Sequence, residues 1–344
     1  MDRLRVPDEP QQLTAGAASG SSGGLSSLSS GVLAMVLLIT GSDFQEHDTG
    51  HHPEHAERIV SLRARLPAWE QSGWCELTRP QVAGLESLLS VHSQSHVDSV
   101  RDFAASGGGR IETDTQVSAA SFDVARLAVG AIVQAVDHVM AAPHLRSLCL
   151  VRPPGHHALP TSAMGFCLFN NVAIAARHAQ QAWGLERVLV IDWDVHHGNG
   201  TQDIFYDDGQ VTLLSLHRSP FYPGTGAEHE TGTGDGLGAT INVPLAFGIS
   251  RPEYRACFQA SLNQAIAQSR PELILLSAGF DAHVRDPVGS LGLEAEDFAE
   301  MTQWVVEAAE QHCQGRIVSV LEGGYHPPSL VECVECHLQV LHSQ

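Results

Sequence analysis

The sequence predicts an α/β fold: a single domain built on a mostly parallel central sheet with helices on both faces. Three observations predict it. Short apolar runs alternate with longer stretches of helical period from about Val32 to the C-terminus. The runs are almost uninterruptedly apolar, as strands buried on both faces are. The intervening stretches are long enough for the crossover helices that parallel strands require.

Taken in order, VLLIT (36–40) is the expected first strand. The apolar run that contains it, VLAMVLLI (32–39), falls short of the roughly 18 residues of a membrane span, and polar TGSDFQEHD follows it. PEHAERIVSLRARL (53–66) and SFDVARLAVGAIVQAVDHVM (121–140) have helical period. The strand SLCLV (147–151) precedes the helix NVAIAARHAQQA (171–182), and RVLVID (187–192) and VTLLSL (211–216) are the next strands. Helix EYRACFQASLNQAIAQ (253–268) leads to strand ELILLS (272–277), and helix AEDFAEMTQWVVEAAEQH (295–312) to strand IVSVLE (317–322). SLVECVECHLQVL (329–341) closes the chain with helical character.

Ahead of these elements, residues 1–31 are rich in Ser and Gly and read as a disordered extension, with Met35 a candidate start of the folded protein. Residues 32–344 then form one domain, since no internal repeat or linker interrupts them. The 344 residues carry 19 basic and 39 acidic side chains, a formal net charge of −20, which argues against direct nucleic-acid binding. All the basic residues are arginine, which fits coding bias. Seven irregularly spaced cysteines fit reduced thiols rather than a disulfide framework, and with no secretory leader the expected location is the cytoplasm, without a membrane partner.

The unusual polar residues all follow strands. SLCLV runs into RPPGHH, RVLVI into DWDVHHGNG, ELILLS into AGFDAH and IVSVL into EGGY. In open parallel sheets the C-terminal strand edge is where ligands bind. Asp192, Asp194 and His196 form a D-x-D-x-H series whose alternation puts the side chains on one side of a strand, ahead of a Gly-Asn-Gly turn. With Asp281 from another strand, Asp194 and His196 suit a divalent metal with one position left open for water, as in a catalytic site. Such an ion brings water to ionisation near neutral pH. His156 and His157, after two prolines and a glycine, suit a base and a second, charge-tuning group. Asp192 and Asn199 are available to fix their tautomers, and Tyr325 of EGGY can donate to an oxyanion.

The motifs RPPGHHA, GFCLFNNVAIAARHA, DWDVHHGNGTQDIF, FYPGTG, AGFDAH…DPVG and EGGY, in this order, resemble the histone deacetylase and acetylpolyamine amidohydrolase superfamily, closest to its class II branch. The resemblance runs from HDTGHHPEHAERI (47–59) to Tyr325 and leaves the N-terminal extension outside. It implies the three-layer arginase–deacetylase fold and zinc-dependent hydrolysis of an amide to acetate and a free amine. On that pattern Asp194, His196 and Asp281 bind zinc, with ferrous iron an alternative on the same N/O ligands. His157 is the general base and then acid, His156 tunes the charge, Asp192 orients His156, Asn199 stands beside His157, and Tyr325 polarises the carbonyl. A structural potassium ion would use Asp192, Asp194, His196, Ser215 and Leu216, and an outer one Phe205, Asp208 and Val211.

The same resemblance makes Phe166 and Tyr222 the walls of a narrow substrate slot, with the Gly165 carbonyl accepting from the substrate amide. Val288 falls at the slot mouth, where relatives specialised for acetylpolyamines carry an acidic residue. A neutral mouth favours acetylated lysine in a protein or peptide, whereas the charge of −20 would attract a small acylated amine such as an acetylpolyamine. His55-Ala56 stand where many relatives read Arg-Pro. A binuclear manganese ureohydrolase fits less well than one metal with the tandem histidines and Tyr325. A silent acyl-lysine binding module would be expected to lack Tyr325, Asp281 or one of those histidines.

Other signals are set aside. CVECH (333–337) matches a haem-attachment pattern and could be drawn as a zinc site, but reads as an ordinary helix with two thiols. GTGAEHETGTGDGLG (224–238) reads as a loop shaping the rim, and His47, His51, His52 and His55 as mouth-loop residues.

Overall fold

The computed structural model describes residues 35–343. The expected extension over residues 1–31 lies outside the described residues. The strands are β1 (Val36–Ile39), β2 (Cys75–Thr78), β3 (Gly108–Arg110), β4 (Gln116–Ser118), β5 (Arg146–Cys149), β6 (Val188–Asp192), β7 (Val211–Arg218), β8 (Thr240–Leu245), β9 (Leu273–Ala278) and β10 (Ile317–Leu321). The α-helices are α1 (Glu57–Arg63), α2 (Leu66–Gln71), α3 (Leu85–Leu89), α4 (Gln94–Ala105), α5 (Ser121–Ala141), α6 (Asn171–Trp183), α7 (Asn199–Phe205), α8 (Arg251–Ser269), α9 (Ala295–His312) and α10 (Pro327–His342).

The main sheet has 8 strands in the order β2-β1-β5-β10-β9-β6-β7-β8. Every neighbouring pair in it is parallel. β3 and β4 form a separate antiparallel pair. Helices α5 and α6 cover one face, and α1, α8, α9 and α10 pack together on the other. The central strands β5, β10, β9 and β6 are buried at every residue, which is why they read as largely apolar runs, with Arg146 at the start of β5, Asp192 at the end of β6 and single serines in β5, β9 and β10 the exceptions.

The helix ends follow local chemistry. Asn170 caps α6 by accepting from Ala173 N, and Gly184 closes it with φ 68°. Ser250 and Glu253 form a capping box at the start of α8. By length and composition α5 is apolar enough to cross a membrane, with mean hydropathy 1.4, but its stripe from Val124 to Val139 is buried against the sheet and α6.

Several elements differ from expectation. The helix expected over 53–66 begins only at Glu57, and a second helix, α2, starts at Leu66 with a proline in its first turn. β2 and β8 are edge strands: β2 is only part-buried, and β8, though mostly buried, mixes Thr240 and Asn242 with Pro244, so neither has a strand signature in sequence. The Gly-Asn-Gly segment is no turn: α7 starts at Asn199. β6 ends at Asp192, so Asp194 and His196 lie in the loop beyond the strand rather than on it.

Candidate active site

Strand order decides which rim segments meet. β5, β10, β9 and β6 are consecutive neighbours, so RPPGHH, EGGY, AGFDAH and DWDVHH emerge side by side at their C-terminal ends. Although Asp194 and His196 have left the strand, local bonds make them converge. Asp194 Oδ1 accepts from His196 N at 2.9 Å, and His196 Nδ1 lies 3.0 Å from Asp194 Oδ1 and 3.1 Å from Asp281 Oδ2. Asp192 Oδ1 accepts from Asp194 N at 3.1 Å, and Asp281 Oδ1 accepts from Val195 N at 2.8 Å.

The donor set fits a metal ion. Ligand atoms of Asp194, His196 and Asp281 all lie within 4.8 Å of one another, and all three residues are buried. Asp281 Oδ2 is buried without a hydrogen-bond donor. A Cβ on Gly323 would stand 2.2 Å from that oxygen and 2.5 Å from Asp194 Oδ2, so the backbone of EGGY leaves the space open. Burial, then the charge of Asp194, pushes Asp281 up to about 7. Burial also opposes ionisation of Asp194, but the charge of His156 and the bond from His196 hold it below the usual carboxylate range. Two carboxylates crowded in this way are relieved by a divalent cation.

The tandem histidines differ electrically. His156 Nδ1 bonds Asp192 Oδ2 at 2.9 Å; burial would neutralise it, but the charges of Asp192 and Asp194 hold its pKa well above the usual range. His157 Nδ1 lies 2.7 Å from Asn199 Oδ1, and burial, reinforced by the charge of His156, pushes its pKa well down. A neutral imidazole whose Nδ1–H donates to an amide oxygen has its Nε2 lone pair free to take a proton. Burial lifts the Tyr325 phenol well above its ordinary value, which keeps it a hydrogen-bond donor.

Rings surround these groups. Phe166 meets Tyr325 edge-on at 5.6 Å and His52 at 4.4 Å. Tyr222 meets His157 at 5.2 Å and His196 at 6.1 Å. Gly165 and Phe166 both have positive φ, 57° and 69°, a backbone that costs a bulky residue about 1 kcal/mol or more. A Cβ on Gly165 would meet the His157 ring at 2.3 Å. Val288 is reached through Asp286, whose Oδ1 accepts from Val288 N at 2.9 Å and whose Oδ2 accepts from Tyr325 N at 2.6 Å. Ser215 pairs with Asp192 across β6 and β7, and Leu216 follows it, both buried. Phe205 ends α7, Asp208 pairs with Arg177, and Val211 starts β7.

Sequence reasoning missed the supports beneath this rim. Arg58 donates from Nε to Gly324 O at 2.7 Å, from a second nitrogen to Glu322 O, and lies over the Tyr325 ring at 4.9 Å. Glu54 holds both Arg58, at 2.9 Å, and Arg152, at 2.5 Å. Glu322 Oε2 accepts from Gly155 N at 2.7 Å, and burial pushes its carboxyl up to about 7. Glu322 stood in the quoted EGGY motif, so a charged residue at a buried strand end was the available signal. Of the histidines expected in a mouth loop, His52 meets the Phe166 ring, whereas His47 turns inward to Ser121 and Glu54. His337 is also buried, bonded to Thr302 and Ser319. The glycine-rich loop is pinned by Glu230, which accepts from Gly226 N and Ala227 N, and by His217, bonded to Gly226 O.

Comparison with known proteins gives a consistent result. The histone deacetylase domain family matches residues 52–341. A probable deacetylase of Archaeoglobus fulgidus is 39% identical over 295 residues, covering 84% of this chain and 82% of that protein. A histone deacetylase-like amidohydrolase of Pseudomonas aeruginosa is 39% identical, covering 84% of this chain and 77% of its own. Among solved structures, the HDA15 HD domain superimposes with a TM-score of 0.84 at 34% identity, over 90% of this chain and 89% of that one.

Proposed function

The chain belongs to the histone deacetylase family, and we propose that this deacetylase hydrolyses the amide of acetylated lysine side chains in proteins or peptides, releasing acetate. The observation that carries the reading is the buried Asp194–His196–Asp281 cluster beside a neutral His157. A divalent metal held by those three residues, zinc or ferrous iron, would polarise the scissile carbonyl and bring water to ionisation near neutral pH.

The remaining steps belong to the chain's own groups. His157 Nε2 takes the proton of the attacking water and returns it to the leaving amine, with Asn199 fixing the tautomer. His156, held charged by Asp192, stabilises negative charge developing nearby. The Tyr325 hydroxyl donates to the tetrahedral oxyanion, and its backbone is fixed by Asp286 and Arg58. Phe166 and Tyr222 clasp an aliphatic chain, and Gly165 O accepts from the substrate amide. The proposal includes a structural potassium ion held by Asp192, Asp194, His196, Ser215 and Leu216.

Val288, uncharged at the slot mouth, supports a neutral acyl-lysine approach. A second reading, deacetylation of acetylpolyamines or other small acylated amines, draws on the net charge of −20. The deciding experiment compares kcat/KM of zinc-reconstituted protein on an acetyl-lysine peptide, acetylputrescine and acetylspermidine. A peptide preference is expected. A polyamine preference would overturn the substrate and leave the chemistry standing. Turnover of none of them, with metal bound, would favour a binding module.

A further inference from the structure

A column of side chains runs from the candidate metal ligand His196 to the protein surface. The Phe221 ring stacks on the His196 imidazole with centroids 5.1 Å apart and planes 16° from parallel. The Arg218 guanidinium lies over the Phe221 ring, 4.0 Å from its centroid, and over the Phe247 ring at 4.3 Å. Phe247 is 66% exposed, so the column ends in solvent. Arg218 is the last residue of β7 and adds two further ties. Its backbone N donates to Val195 O at 2.8 Å, inside the loop that carries Asp194 and His196. Its Nη1 donates to Gly289 O at 3.1 Å, next to Val288.

Among the described residues Arg218 forms no ion pair with a carboxylate, and its Nε is buried without an acceptor. An arginine to which the described residues of so acidic a chain offer no counter-charge is there for its planar face, which two rings and one carbonyl fix in place. We infer that Arg218 is a positioning residue: clamped between Phe221 and Phe247, it sets the plane of the His196 imidazole and locks the Val288–Gly289 segment to the same frame. This rests on the proposal that Asp194, His196 and Asp281 hold a metal. Partners that orient a metal-bound imidazole typically change metal affinity by about 10–100-fold.

The test measures Zn2+ release to a chromogenic chelator, together with kcat and KM on an acetyl-lysine peptide, for wild type, R218A, R218K and F247A. R218A is expected to release zinc about tenfold faster, at the low end of that range, and to raise KM more than it lowers kcat. R218K, with charge but no planar face, should behave like R218A. F247A alters a mainly solvent-exposed ring, so the fold survives it, and it should shift both readouts in the same direction by less. Wild-type release and KM in R218A, or in F247A should R218A not fold, overturn the inference. Full recovery in R218K overturns it too, since charge alone would then suffice. A wild-type protein that takes up no zinc overturns the metal-site proposal and this inference with it; zinc uptake with indistinguishable variants overturns the inference alone.

Discussion

His157 Nδ1 lies 2.7 Å from Asn199 Oδ1, and this one bond decides which ring nitrogen is free. Asn199 is itself oriented, because its Nδ2 points to Met164 Sδ at 3.3 Å. Exchange for a carboxylate would favour the imidazolium form and raise the His157 pKa from its depressed value. Asn199→Asp is therefore expected to move the acid limb of the kcat/KM profile to higher pH. An unmoved limb would show that His157 is not the titrating base.

In the proposed reaction Tyr325 supplies a donor and no ligand. Tyr325→Phe is expected to keep wild-type metal content while kcat falls by about 10²–10³. Metal content by atomic absorption and steady-state rates on one preparation check both halves. Near-wild-type turnover would remove the phenol from the chemistry.

Gly323 is where metal binding should be most sensitive to added bulk. A Cβ there would enter the space between Asp281 Oδ2 and Asp194 Oδ2. Gly323→Ala is expected to weaken Zn2+ binding by about 100-fold, the upper end for residues around a metal site, in a competition titration against a chelator. Unchanged affinity would mean that the ion does not lie between those oxygens.

Stability should fall on mild acidification. Burial first, then neighbouring histidines where present, lowers His92, His197 and His337 to about 3 and His217 to about 4. In the unfolded chain such groups titrate near 6.5. Below that pH the unfolded state binds protons that these folded histidines refuse, so stability is lost as pH falls, by up to about 1.4 kcal/mol per histidine per pH unit. Asp281 and Glu322, raised to about 7, act in the opposite sense between pH 7 and their ordinary range. Asp192 and Asp286 are raised as well, but His55, His96, His138, His157 and His283 are also lowered, so the histidines outweigh the carboxylates and denaturation midpoints should drop from pH 6.5 to 4.5. A flat profile would contradict the neutral assignment.

The central strands were legible because burial on both faces leaves an unbroken apolar run, as in Val188–Ile191. The polar rim was legible because Asp192, His156 and Tyr325 interrupt that apolarity just past strand ends. β2 and β8 were not: β2 is only part-buried and needs no distinctive composition, and β8 carries Thr240, Asn242 and Pro244 within a mostly buried edge. Nor was strand order, which rests on pairings between segments far apart in the chain. The supports were hidden for the same reason: Arg58 reaches Gly324 across 266 residues, and nothing near Arg58 advertises the partner. Asn199 was named as a partner for a histidine, but that it also opens a helix depended on backbone geometry that Gly-Asn-Gly does not reveal.

The position of β10 has a consequence for biosynthesis. The last strand in the chain sits between β5 and β9, in the middle of the sheet. A nascent chain therefore carries a gap at the centre of its sheet until residues 317–321 have left the ribosome. In the finished fold β6 and β9, which bring Asp194, His196 and Asp281 together, pair directly without β10 between them, while Tyr325 follows β10 in the chain. On the proposed roles, synthesis thus delivers the residues that would hold an ion before the one that would donate to the oxyanion, and a chain cut short before β10 lacks both that hydroxyl and the strand that closes the sheet.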